Sequence, residues 1–161
     1  MTRETKYLFL AISINLVVAF LTFYVFVGFS LSEVIDFVAD FFINLSVGIG
    51  AFYVTGYYIG NLLSQSKRIR IIHGIFSAFF ILLIGTVAGS TVGFIQEGLP
   101  ASNTNFDYSF SENITDYYFK PLFWIFFFGF IPTLILGIVV GLSLEGKSGS
   151  QKVIHLRNNE E

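Results

Sequence analysis

The chain has 161 residues, of which 54% are hydrophobic, 19% aromatic and only 12% charged, with 21 phenylalanines and no cysteine. Soluble domains carry about 25% charged residues, so this material cannot clothe a water-facing surface, and a mean hydropathy of +0.73 agrees. A net charge of −2 gives no case for nucleic acid as a partner, and the lack of cysteine excludes disulfides, thiolate metal sites, cysteine nucleophiles and palmitoylation.

Residues 1–6 are polar, and residues 7–29 then run without a charge. That length crosses roughly 30 Å of hydrocarbon at about 1.5 Å per residue. A cleaved leader would have an apolar core of only about 7–15 residues and a small-residue cleavage site. Neither feature is here, so a retained first span is expected. Over residues 30–40, Ser30 and Glu33 have the spacing of a capping box, and Glu33, Asp36 and Asp40 recur on one helical face. A short amphipathic acidic helix is expected, lying at the membrane surface or leading straight into the next span.

The second span covers about 41–63. On a helical wheel Ser46, Gly50, Tyr53, Tyr57, Gly60 and Ser64 share a side, with Asn61 at its edge. A stripe so small and polar is expected to face other helices and avoid lipid. Gly56 and Gly60 also form a small-xxx-small pair. The basic turn Ser64-Gln65-Ser66-Lys67-Arg68-Ile69-Arg70 follows, its cations Lys67, Arg68 and Arg70 suited to anionic lipid headgroups.

The third span, about 71–95, carries Gly85, Gly89 and Gly93 at four-residue spacing, after Gly74 and Ala78. Each glycine lowers helix propensity by about 1 kcal/mol in water, so close approach to another helix is the expected reason. Gly98 and Pro100 end it. Residues 101–120 are polar and irregular, and Asn113-Ile114-Thr115 matches a glycosylation sequon. The fourth span, about 121–144, opens on Pro121 and holds Trp124 near its boundary, Pro132 as an expected kink, and Gly137 and Gly141 as a further packing pair. Residues 146–161 form a polar tail.

The expected architecture is all-α: an integral membrane four-helix transmembrane bundle forming a single domain over 1–145. Four spans put Arg3, Lys6, Lys67, Arg68, Arg70, Lys147, Lys152 and Arg157 on one side and leave Lys120 opposite. The positive-inside rule then makes both termini and the basic turn cytoplasmic, and the acidic helix outer, in a plasma or bacterial inner membrane. Gly56/Gly60 match Gly137/Gly141, and Val27-Gly28-Phe29 matches Val92-Gly93-Phe94, but Val, Gly and Phe are so common in this chain that chance recurrence is the favoured explanation over a duplicated hairpin.

The sequence speaks less directly about function. Mid-membrane ionisable residues mark transport pathways, and the four span centres hold none; Asp40 and His73 sit at span rims. The uncharged polar residues Asn15, Tyr57, Asn61 and Thr133 could border a polar path, although such groups also serve helix packing. Hydrolase, metalloprotease, nucleotide and dinucleotide motifs are all missing, so no catalytic, cofactor or metal residue is assigned. Three readings stand in order: a non-catalytic subunit or accessory protein acting through helix–helix contacts with itself or a membrane partner; a small oligomeric channel or facilitator for an ion or neutral solute; and a membrane enzyme using outer-side carboxylates such as Asp40 or Glu97.

Overall fold

The computed structural model describes residues 1–66, 69–99 and 110–145. Its helices are α1 (Arg3–Phe26), α2 (Leu31–Asp40), α3 (Phe42–Ser64), α4 (Ile71–Glu97), α5 (Phe110–Ile114) and α6 (Lys120–Glu145), with a π-helical turn (Thr115–Phe119) joining the last two. Four helices among the described residues are long and apolar enough to cross a membrane: α1, α3, α4 and the combined stretch Phe110–Glu145.

Hydropathy alone misses where the first of these helices begins, at Arg3 and not near residue 7, whereas the starts near 41, 71 and 121 fall within a residue of those observed. The first starts at Arg3, ahead of the apolar run, because the Thr2 side chain accepts a hydrogen bond from the Thr5 amide at 3.2 Å. Its end is set by two consecutive left-handed residues, Gly28 (φ 69°) and Phe29 (φ 63°). Ser30 then caps α2 through the Glu33 amide, the first half of the expected capping box. Only Phe41 separates α2 from α3, and hydrogen bonds from Phe41 N to Phe37 O and from Leu45 N to Phe41 O carry across it. The acidic helix thus leads directly into the next span.

At the start of α4, His73 Nδ1 accepts from the Arg70 amide at 3.1 Å. His73, at the rim of its span, is a helix cap, reaching back one turn as the distal residue of a capping box does. His73→Ala should cost about 1 kcal/mol of α4 stability and speed amide exchange at Arg70, whereas His73→Gln keeps an acceptor and should stay close to wild type. The segment before α6 also differs from expectation, since 110–119 is helical where irregular chain was expected. Tertiary ties hold it: Asn113 Nδ2 donates to Gly98 O at 2.9 Å, and Phe110, Tyr117 and Tyr118 surround the Phe94 ring. Pro132 sits inside α6, which continues through it as one helix.

Contacts between helices give the topology. Gly60 lies on Thr5 and Gly56 on Ile12, so α1 and α3 are antiparallel. Gly48 lies on Gly85 and Gly89 on Asn44, joining α3 to α4 in the same sense. Gly74 meets Gly137 and Gly141 across α4 and α6, while Asn15 bonds Thr133 and Arg3 bonds the Ser143 carbonyl across α1 and α6. The result is a ring in the order α1–α3–α4–α6, with every neighbour antiparallel. Leu8, Ile12, Leu63, Ile81, Val140 and Leu144 fill its interior, mostly toward the end that carries the amino terminus.

The two hairpins pack alike. Gly60 and Gly56 of α3 seat against Thr5 and Ile12 of α1, and Gly141 and Gly137 of α6 seat against Ile71 and Ile75 of α4. The Val-Gly-Phe correspondence is not structural, because Gly28 lies in a left-handed turn whereas Gly93 lies within α4 against Asn44 and Tyr117.

Candidate functional site

Within the spans, polar side chains meet in a few places. Asn15 Nδ2 donates to Thr133 Oγ1 at 3.1 Å, near the middle of α1 and α6, and Thr133 is 2% exposed. Ser13 Oγ and the Tyr53 hydroxyl are 2.8 Å apart across α1 and α3, with Phe9 edge-on to the Tyr53 ring. Thr86 and Thr91 each return their hydroxyl to the carbonyl one turn back, at 2.8 and 2.7 Å. Such bonds satisfy the hydroxyl within its own helix.

The four residues named for a polar path do not gather. Asn15 and Thr133 touch, but Tyr57 is 47% exposed on the outside of α3, its ring against Tyr58. Asn61 lies one residue beyond Gly60, level with Thr5, so it stands about 15 Å along the axis from Asn15.

Of the glycines assigned to packing, Gly56 and Gly60 face α1, Gly85 and Gly89 face α3, and Gly137 and Gly141 face α4. Gly93 lies beside the Asn44 amide and Tyr117. Gly74, which precedes the third-span series in the sequence, joins these contacts, and sequence reasoning overlooked one further member, Gly48, two residues from Ser46 on the other side of α3. The stripe expected to avoid lipid divides: Gly60 is buried and Tyr53 half-buried, whereas Ser46, Gly50, Tyr57 and Ser64 are exposed. A methyl group built on Gly50 meets nothing within 4 Å among the described residues.

Charged groups lie at the helix ends. Arg70 is exposed; Lys67 and Arg68 lie outside the described residues. Glu33, Asp36 and Asp40 are exposed along α2, and among the described residues no three His, Asp or Glu side chains converge as a metal would need. Glu97 accepts a hydrogen bond from the Tyr117 hydroxyl at 3.2 Å, beside the Asn113–Gly98 tie. Asp116 pairs with Lys120 at 2.6 Å, an exposed (i, i+4) pair that contributes little.

Together these features define a class: an all-helical protein whose four long apolar helices suit it to a membrane. No family model, curated protein or solved structure matches the chain.

Proposed function

We propose that this is a non-catalytic subunit or accessory protein of a membrane assembly, acting through helix–helix contacts, with both termini and the basic turn in the cytoplasm. The observation that carries this reading is the exposed stripe of α3. Glycine inside a helix costs about 1 kcal/mol relative to alanine in water. At Gly48, Gly56, Gly60, Gly74, Gly137 and Gly141 that cost is offset by contacts that a side chain would block. Gly50 has no such contact among the described residues, yet it shares its exposed face with Ser46 and Tyr57. A helix from another protein, or from a second copy, is the partner that such a face suits. The apolar filling by Leu8, Ile12, Ile81 and Val140 supports this reading over an open solute path.

The native chain has no cysteine, so a single cysteine can report the contact. Val54→Cys, on the same exposed face, should crosslink in native membranes to a second copy or to a partner. Gly50→Leu should abolish that crosslink while leaving the chain helical and at least as thermally stable as the wild type, because the site is open and leucine is the better helix former. A protein that stays monomeric and uncrosslinked in its native membrane overturns the proposal.

A further inference from the structure

The four seams of the ring are built differently. The α1–α3, α3–α4 and α4–α6 seams are closed by glycines on which the neighbouring helix rests directly, through Gly56 and Gly60, Gly48 and Gly89, and Gly74, Gly137 and Gly141. The α1–α6 seam has no such closure. Helix α1 contains no glycine, and Gly129 of α6 looks toward Leu82 of α4. Long or polar side chains bridge this seam instead: Asn15 to Thr133 at 3.1 Å, Arg3 to the Ser143 carbonyl, and the Phe26 ring against Phe128 at 5.3 Å. It is also the least extensive of the four contacts.

The packing of α1 is uneven along its length. Its buried residues Thr5, Leu8 and Ile12 all lie in the half nearer the amino terminus. Beyond Asn15 the helix exposes Val17, Phe20, Leu21 and Val25, each at 44% or more. No residue of α1 beyond Asn15 is buried, and this half is held by ring contacts, Phe23 with Phe37 at 4.5 Å and Phe26 with Phe128; local openings draw on segments with few buried contacts. On the facing helix, Pro132 immediately precedes Thr133. Proline supplies no amide hydrogen to the carbonyl one turn back, so the helix bends there at lower cost than elsewhere. In the equivalent seam of the other hairpin pairing, α3–α4, the backbones meet at the Gly48–Gly85 contact.

We infer that the α1–α6 seam is a lateral gate: its α2-side half opens toward the bilayer, the Asn15–Thr133 hydrogen bond is the latch, and Pro132 is the hinge. The amino-terminal half of α1, held by Gly56 and Gly60 of α3, stays in place and serves as the pivot. A mid-membrane hydrogen bond suits a latch because it is directional and adds modest stability, so closure is favoured without being permanent.

Spin-label distance measurements on the full chain in lipid nanodiscs test this. The native absence of cysteine allows clean labelling of Thr22→Cys with Phe127→Cys across the gate, and of Val47→Cys with Ile84→Cys across α3–α4 as the control. The gate pair should give two distances and the control pair one. Asn15→Leu should raise the ratio of the longer to the shorter gate distance about threefold, the size of one interhelical hydrogen bond in a bilayer. Pro132→Ala should lower that ratio. Neither substitution should move the control distance, which also reports that the bundle has folded. A single gate distance as narrow as the control in both the wild-type and Asn15→Leu chains overturns the gate. A longer population that Asn15→Leu leaves unchanged overturns the latch.

Discussion

Replacing Gly74 with alanine should break the α4–α6 hairpin, even though alanine is the better helix former. The added methyl would collide with the Gly137 carbonyl and stand 2.6 Å from Gly141 N and 2.8 Å from its Cα. All three are backbone atoms, so no side chain can turn aside to make room. Overpacking costs typically 1–3 kcal/mol and occasionally more; with rigid backbone on both sides the upper end applies, and a propensity gain of about 1 kcal/mol does not cancel it. Gly85→Ala on the same helix is the control. There the methyl meets the Phe52 side chain as far in as its Cγ, so Phe52 must shift as a whole; a side chain can still yield where backbone cannot, and the loss should be smaller than at Gly74. Reversible unfolding in mixed micelles would measure both. Equal stabilities for the two variants would contradict the α4–α6 geometry.

The second large effect concerns α3 and α1. At Gly60 a methyl would stand 2.6 Å from Thr5 Cα and 2.8 Å from Thr5 N, and Thr5 is fully buried. Gly60→Ala should therefore force α1 outward at its anchored end, with a loss of about 3 kcal/mol. The Thr2–Thr5 capping contact would be strained with it, since both threonines lie in the turn being displaced. Gly50→Ala, on the same helix, should instead stabilise the isolated chain by up to about 1 kcal/mol, because the site is open and alanine is the better helix former. Measured on one helix, the opposite signs separate intramolecular packing from any general intolerance of α3 to substitution.

Those pairs also mark where sequence reading stops. A period of four along α4 made Gly85, Gly89 and Gly93 conspicuous, because repeated glycine in a span needs close approach to explain it. The same pattern cannot tell which neighbour comes close, or whether a backbone or a rotatable ring lies opposite. Gly74 and Gly85 look alike in the sequence, yet one meets backbone and the other a side chain. The α3 stripe shows the same limit from another side: its composition was plain, but its division between buried Gly60 and exposed Ser46 and Gly50 depends on the rotation of α3 against α1 and α4.

Capping divides in a similar way. Ser30 was recognisable because a hydroxyl three residues before Glu33 has a local reason to be there, and Ser30 accepts from the Glu33 amide at 3.4 Å. His73 offered no such pattern, since histidine is an uncommon partner for a helix-start amide. The helix over 110–119 was hidden for a different reason: its ties to Gly98, Thr91 and Phe94 come from α4 and its end, and no local propensity announces them.

Composition and the spacing of apolar runs were enough to determine the four helices suited to a membrane among the described residues, because the thickness of hydrocarbon sets a length that can be read along a sequence. The acidic helix before the second long one was equally legible, since it depends on neighbouring residues alone. Only the tertiary structure decided the order of helices around the ring, the pairing of Asn15 with Thr133, and which glycines carry a neighbour. Those depend on how each helix is rotated about its axis, and rotation is settled by the sum of many contacts between residues far apart in the chain.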